Sequence, residues 1–582
     1  MLFFIMEYLI GKCAYEGVVI EDVYLDQDTY LQNEKETIAF EEVEKEIHKL
    51  EDCLNKAENS LISLKEELNG KIKQKELSLI DAHILLLKDP MYVSDIKKCI
   101  QKEQKKVEYA IIETTEKFIK LFENIDSPVY RQRGLDIKDV ANRLLDILKD
   151  KDNNYKAFHN KILVTKEIYP TELLKLHKEG ITLKGIIMEY GGETSHVAIL
   201  AKALKIPTIM GVSNIFDHNW NDKVILDTTE EIGVVIINPN EEELNLYKEK
   251  QEKFLLKLKK IQESKNLPCI TEDGIPVNLY LNLGNSEHDN LKEVDRSKIA
   301  GVGLLRTELL YMNGSDFPTE EKQFNIYHEA LKDFTKDQTI VIRTLDIGAD
   351  KQLSYFKMKS ESNPFLGLRG IRFSLENRDI FKTQLRVILR LSSEKNIKIM
   401  YPMVTNIDEI REANLILNEV KNELRNQNIS FNENIEVGMM VEVPSVIMMA
   451  EAFAKEIDFF SIGSNDLTQY ILATDRLSET VGDLYDSYNP AVLRAIYHVK
   501  KAADKYNKKI SVCGELAGEL KGILVLLSLG IRDLSMVEAS ILPAKNLIRK
   551  LNYEKLTTLR EKILDCKNSK EIKGILKNYI EF

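Results

Sequence analysis

His196 stands in "GGETSHVAILAKALKIPTIMG", residues 191–211, between a glycine pair and an apolar run. Gly191 and Gly192 permit a tight turn and close approach of another group to the backbone. Thr194 and Ser195 are good helix N-caps, and Val197 to Leu204 are mostly helix formers that stop before Pro207. The pattern predicts His196 in the first turn of a helix, beside unpaired N–H groups and the positive dipole end, where an anion can rest. A neutral imidazole is also a competent nucleophile near neutral pH. The plainer alternative is a capped helix with an incidental histidine.

A second set of chemical residues lies in the last ~315 positions, each at the end of a short apolar run. Arg306 closes "GVGLLR". Arg343 lies at the end of "TIVIRT", with Asp346 and Lys351 close behind. Glu442 lies at the end of "VGMMVEV". Asn465 and Asp466 follow "IDFFSIG", Arg476 lies further along the same loop, and Cys513 ends the strand part of "ISVCGE". Guanidiniums clamp phosphate and carboxylate, often bidentately. Glu442 and Asp466 form a pair of the kind that holds Mg²⁺, with substrate oxygens filling the remaining positions. A thiol can donate or accept a proton. A small phosphorylated carboxylic acid satisfies every group. Singly, each has an ordinary reading: a surface ion pair for an arginine, inert core packing for Cys513. Their joint occurrence at strand ends carries the argument.

The elements that must hold them can be read from the same sequence. Eight apolar runs, at 277–283, 301–306, 339–344, 397–403, 437–443, 457–463, 510–515 and 531–536, are each separated by enough residues for a helix. This predicts a C-terminal (β/α)8 TIM barrel over 269–582, whose catalytic groups sit at the strand C-terminal ends. Residues 1–30 and 149–240 contain β-type runs such as "GVVIEDVYL", "KILVTK", "KGIIMEY", "PTIMGV", "KVILDT" and "IGVVIIN" and predict one α/β domain in two pieces. Between them, 31–148 read as an inserted helical bundle. Val43, Ile47, Leu50, Leu54, Ala57, Leu61, Leu64 and Leu68 alternate spacings of four and three until Asn69-Gly70. Further helices are expected at about 74–87, 91–123 and 136–148, and the Gly and Pro breaks favour antiparallel packing over a coiled coil. Residues 241–268 form a linker, charged and helical over 241–265, and a natural hinge.

The bulk numbers agree with a multidomain α/β protein. At 582 residues, 44% apolar and 30% charged, the chain predicts three to four globular domains. A net charge of −12, with both signs mixed along the chain, argues against a nucleic-acid surface. The six cysteines lie far apart with no CxxC pair, a pattern that suits a reducing cytoplasm. The start "MLFFIMEYLIGKC" lacks a basic n-region and a cleavage site and is too short to span a bilayer, and no other stretch is apolar enough. The expectation is a cytoplasmic protein with no membrane insertion.

The stretches "GGETSHVAILAKALKIPTIMGV", "GVGLLRTELLYM", "VIRTLDIGADK", "NPFLGLRGIR", "SIGSNDLTQYILATDR" and "SVCGELAG" resemble Enzyme I of the bacterial phosphotransferase system, the phosphoenolpyruvate–protein phosphotransferase family. The resemblance covers essentially the whole chain, including domain order. Pyruvate phosphate dikinase and phosphoenolpyruvate synthase share the histidine and barrel motifs, but they need a nucleotide-binding domain for which this chain has neither room nor motif. The resemblance implies a swivelling phosphohistidine domain, phosphorylation of His196 on Nε2, and help from Thr194 in orienting the ring. It implies Arg306, Arg343, Asn465 and Arg476 as phosphoenolpyruvate ligands, Lys351 in support, Glu442 and Asp466 as Mg²⁺ ligands, and Cys513 as the acid that protonates the departing enolate. It also implies a homodimer through the barrel and, as acceptor, the small carrier protein HPr docking on the helical bundle. A paralogue serving a different HPr-like protein is the alternative, and a sensor that binds without turnover is a third reading. Four positions depart from the family pattern: Glu193 where a basic or small residue is common, Tyr15-Glu16 where Ser-Pro is usual, and Asn489 where histidine is common. A carboxylate at 193 would repel incoming phosphate unless a cation pairs with it.

Overall fold

The computed structural model describes residues 7–26, 37–68, 74–123, 128–148, 155–192, 195–284 (without 221, 222 and 231) and 294–577 with 579 (without 313, 315, 349–352, 354, 357–360, 477 and 479). The chain divides into two compact units near residue 258. No helix among the described residues is long and apolar enough to cross a membrane.

The first unit contains a closed seven-stranded sheet and a helical bundle. Its strands are β1 (Glu7–Tyr15), β2 (Val18–Asp26), β3 (Ile162–Thr165), β4 (Gly185–Met188), β5 (Thr208–Met210), β6 (Lys223–Asp227) and β7 (Ile232–Ile237), in the order β1-β5-β4-β3-β2-β6-β7. β2 to β5 run parallel, whereas β1, β6 and β7 pair antiparallel. β3, β4 and β5 are buried along their whole length, as parallel strands covered on both faces should be. The sequence pattern yields every strand but β1. The bundle is α1 (Val43–Leu68), α2 (Gln74–Leu87), α3 (Pro90–Glu103), α4 (Val107–Glu123) and α5 (Pro128–Leu148). The stretch expected to be helical from 91 to 123 is two helices. Gln104 takes a left-handed φ of 50° and ends α3. α5 starts at Pro128, earlier than the expected 136.

The stripe on α1 does what its spacing demands: Leu50, Ala57, Leu61 and Leu64 are buried. One apolar cluster runs from these residues through Leu144 to Leu163, Leu174, Ile186 and Ala198. The bundle therefore shares a core with α6 (Pro170–Lys178) and α7 (His196–Ala203). Each fully buried Leu or Ile contributes about 1.5–3 kcal/mol. Helix α8 (Glu241–Glu263) then follows and has no buried residue over its length.

The second unit holds eight parallel strands closed into a barrel: β8 (Asn278–Leu283), β9 (Gly301–Leu305), β10 (Thr339–Arg343), β11 (Asn396–Tyr401), β12 (Val437–Val441), β13 (Phe459–Ile462), β14 (Lys509–Val512) and β15 (Asp533–Met536). All eight expected runs are strands, and among the described residues each but β8 is followed by an α-helix. The strand period of two sorts their side chains. Ile340 and Ile342 face the large outer core, as do Met439 and Val441. Leu304, Val341, Met400, Met440, Phe459 and Cys513 form a separate small cluster on the other face. Continuing each strand by two residues from Leu304, Val341 and Met440 reaches Arg306, Arg343 and Glu442. The alternation thus aims a guanidinium, a second guanidinium and a carboxylate inward at the strand C-terminal ends.

Candidate active site

At that end of the barrel a cavity of about 330 Å³ is lined by Arg306, Arg343, Glu442, Asn465, Asp466, Arg476 and Cys513, together with Glu308 and Arg369. Seven sequence-predicted residues thus meet in one place.

Two buried arginines organise the floor. Arg343 donates to Glu308 Oε1 at 2.6 Å and lies 3.1 Å from Asp346 Oδ2 and 3.8 Å from Glu442 Oε1. Its Nε is buried without a hydrogen-bond partner. Arg369 forks onto two carboxylates at once, Asp346 at 3.0 and 3.2 Å and Asp466 at 3.2 and 3.1 Å. Burial alone would make both guanidiniums easier to deprotonate, but the adjacent carboxylates outweigh it and hold them firmly charged. Removing one partner from such a buried network costs about 3–5 kcal/mol, because the charge left behind stays desolvated. Arg369 lies within the quoted "NPFLGLRGIR", yet it received no role from the sequence. It follows a loop rather than closing a strand run, so strand-end counting passes it over.

Four carboxylates, those of Glu308, Asp346, Glu442 and Asp466, face these two guanidiniums. The surplus of negative charge suits a divalent cation. Glu442 is buried, accepts from the Met403 N–H at 2.8 Å, and its carboxyl is pushed up to about 8 by burial, with Asp466 and Asp346 adding to the shift. Glu442 and Asp466 are hard oxygen donors lining a cavity open to a ligand, and a Mg²⁺-type ion is held by one or two carboxylates plus substrate oxygens. The residues present therefore fit such an ion.

The rest of the rim is polar and hydrogen-bonded. Asn465 donates to Glu515 Oε1 at 2.9 Å and accepts from the Glu515 N–H at 2.9 Å, and Arg476 Nη1 lies 3.9 Å from the same carboxylate. Gly514 has to be glycine, since a Cβ there would lie 1.9 Å from Ser464 Oγ and 2.9 Å from Asn465 Oδ1. Arg306 and Arg476 are exposed. Cys513 is 2% exposed and receives a hydrogen bond from Ser461 Oγ at 3.3 Å. Burial pushes its thiol up to about 11, against a partial lowering by Ser461, so it carries its proton at neutral pH.

His196 lies in the first unit. It begins α7, and Ser195 is the N-cap, accepting from the Ala198 N–H at 3.2 Å. Gly191 precedes it at φ +128°, where a Cβ would press on Met210 Sδ at 3.3 Å. The imidazole is partly exposed, and its Nδ1 is 3.4 Å from Asp136 Oδ1 on α5. Burial would raise the Asp136 carboxyl, but the neighbouring imidazoles of His196 and His83 outweigh that and hold it well below the usual carboxylate range. A small cavity of about 40 Å³ beside the ring is lined by Asp136, Glu167, Tyr169 and Tyr190. Asp136 carried no signal in the sequence, being one acidic residue at the start of a stretch, 136–148, read only as helical. Thr194, Lys351 and Glu193 lie outside the described residues. Asn489 caps a helix, accepting from the Ala491 N–H at 2.9 Å.

Three family models cover the chain in order: the N-terminal domain of PEP-utilising enzymes over residues 10–133, their mobile domain over 158–231 and their PEP-binding domain over 258–553. The phosphoenolpyruvate-protein phosphotransferase of Geobacillus stearothermophilus is 40% identical over 570 residues, covering 97% of each chain. That of Bacillus subtilis is 38% identical over 575 residues, covering 98% of this chain and 99% of its own. Among solved structures, the solution structure of Enzyme I (nEIt) is 26% identical, with a TM-score of 0.35 over 42% of this chain and 99% of that one. The chain belongs to the PEP-utilising enzyme family, among the phosphoenolpyruvate-protein phosphotransferases.

Proposed function

We propose that this member of the family moves a phosphoryl group from phosphoenolpyruvate to Nε2 of His196 and from there to a histidine of the carrier HPr, the first step of a sugar phosphotransferase system. The observation that carries the reading is the meeting of Arg306, Arg343, Asn465, Asp466, Arg476, Glu442 and Cys513 in one cavity.

In this reading Arg306 and Arg476 clamp the phosphate and carboxylate of phosphoenolpyruvate, Arg343 faces the substrate from the floor, and Asn465 orients it by hydrogen bonding. Glu442 and Asp466 hold Mg²⁺, which when bound neutralises charge on the transferring group. His196 attacks phosphorus with its Nε2 lone pair. The P–N bond forms as the bond from phosphorus to the bridging oxygen breaks, and the electron pair leaves with the enolate. The Cys513 thiol gives its proton to the methylene carbon, yielding pyruvate and a thiolate that is reprotonated from solvent. Thr194 steadies the imidazole and Lys351 supports the substrate anion. His196 must visit the barrel mouth and then a carrier, so the α/β domain (1–30 and 149–240) swivels about the 241–268 linker, with HPr received on the 31–148 bundle. The 269–582 barrel also forms the homodimer contact, and the protein works in the cytoplasm.

The test mixes purified protein, Mg²⁺ and phosphoenolpyruvate with and without HPr, and follows pyruvate and acid-labile protein phosphate. The expected result is a near-stoichiometric burst alone and turnover with HPr, both abolished by His196→Ala. A burst without turnover would point to a different HPr-like acceptor, and phosphate retained by His196→Ala would overturn the reading.

A further inference from the structure

Behind Asp136 the helical bundle holds a second histidine that the proposed chemistry does not use. His83, on α2, is 1% exposed. Its Nε2 lies 3.8 Å from the same Asp136 oxygen that faces His196, and its Nδ1 lies 3.7 Å from Asp139 Oδ2. Nε2 is buried and makes no hydrogen bond. Asp139 is fixed in turn by Thr171 at the start of α6, whose Oγ1 donates at 2.6 Å and whose N–H donates at 3.3 Å. Burying an imidazole with an unsatisfied nitrogen costs about 1–3 kcal/mol, and an apolar residue would fill the site without that cost. The ring is wedged between two carboxylates, and whichever nitrogen carries its proton, an N–H faces one of them.

We propose that His83 is a positioning residue for phosphoryl transfer at His196, acting through Asp136 in an alternating relay His196–Asp136–His83–Asp139. Which nitrogen of an imidazole carries the proton is set by the hydrogen bond that the other ring nitrogen makes. Asp136 accepts from Nδ1 of His196, so the proton stays on Nδ1 and the lone pair is presented at Nε2. His83 holds the Asp136 carboxylate in the orientation that does this. In onward transfer the bond between phosphorus and Nε2 breaks, the pair returns to Nε2, a new P–N bond forms on the acceptor imidazole, and the Nδ1 proton is retained throughout. The bundle thereby contributes to the chemistry of the nucleophile, and it does so from α2 and α5.

The inference rests on His196 as the phosphoryl acceptor, and the test separates the two. Full-length protein labelled with ¹⁵N-histidine is studied by solid-state NMR, with His196→Ala subtracted to isolate the His196 ring. Rapid-quench kinetics then follow phosphorylation by phosphoenolpyruvate in wild type, His83→Phe and His83→Gln. The expected result is an Nδ1–H tautomer in wild type, a tautomer mixture in His83→Phe, and phosphorylation slowed about tenfold there. His83→Gln, which restores a donor, should recover to within about threefold, with phosphoenolpyruvate affinity equal in all three. Should His83→Phe fail to fold, Asp136→Asn is read in its place with the same expectation. An unchanged tautomer and rate in a folded variant would overturn the relay. If wild type gains no phosphate on His196, the functional reading falls, while the tautomer comparison still decides the relay.

Discussion

The nucleophile and the barrel mouth differ in their charged groups: a carboxylate faces the histidine, whereas guanidiniums and carboxylates meet at the barrel mouth. Beside His196 lie carboxylates. Asp136 faces the ring, and Glu167 lines the adjoining cavity with Lys138 drawn onto it at 2.5 Å. At the barrel mouth four guanidiniums, Arg306, Arg343, Arg369 and Arg476, line one cavity together with the carboxylates of Glu308, Glu442 and Asp466. In the proposed reaction a trianionic substrate therefore finds its binding groups in one unit and its reaction partner in the other.

The largest expected effect lies on the barrel side, where the proposed acid Cys513 sits. Cys513→Ala should lower pyruvate formation by about 10²–10⁴-fold with little change in Tm, measured by coupled pyruvate assay and thermal melt. A loss of less than threefold would mean that another group protonates the enolate. Next comes Arg306→Ala, at an exposed position outside the buried network. It should cut kcat/KM for phosphoenolpyruvate about 10²-fold and leave the melt unchanged. The same comparison can be sharpened from the other side. Glu193→Arg adds a cation three residues before His196 in the sequence and should raise the rate of His196 phosphorylation about two- to fivefold, read by rapid quench. A slower rate would count against repulsion at that position.

The smallest effect concerns stability. The Glu172 carboxyl is raised to about 8, chiefly by burial and then by Asp26, Asp146 and Asp139. Its ordinary value of 4.5 applies in the unfolded chain. Between about pH 4.5 and 8 the folded state keeps a proton that the unfolded state has lost, so this group's contribution becomes less favourable as pH rises through that window. Glu172→Gln should flatten that loss, with its Tm advantage over wild type growing from pH 5 to pH 8. A pH-independent difference would contradict the assignment.

The barrel was legible because parallel strands covered on both faces appear as unbroken apolar runs, and the period of two then aims Arg306, Arg343 and Glu442. β1 was not legible. Tyr8 and Ile10 are exposed, so Glu7–Tyr15 shows no clean alternation, and its apolar start was weighed instead as a leader or membrane segment. The break at Gln104 is a left-handed turn at a non-glycine residue, which no local rule marks. Arg369, Asp136 and His83 were missed for one shared reason. Their partners lie 23 to 97 residues away for Arg369, and the pairing of α2 with α5 exists only in the folded unit.

The most direct test of this division of labour is phosphoenolpyruvate binding, measured by calorimetry with Mg²⁺ on full-length His196→Ala and on the double variant His196→Ala/Arg306→Ala. The account predicts that His196→Ala still binds phosphoenolpyruvate, without turnover, and that the double variant binds about 10²-fold more weakly. Loss of binding in His196→Ala alone, or equal affinity in the two proteins, would contradict it.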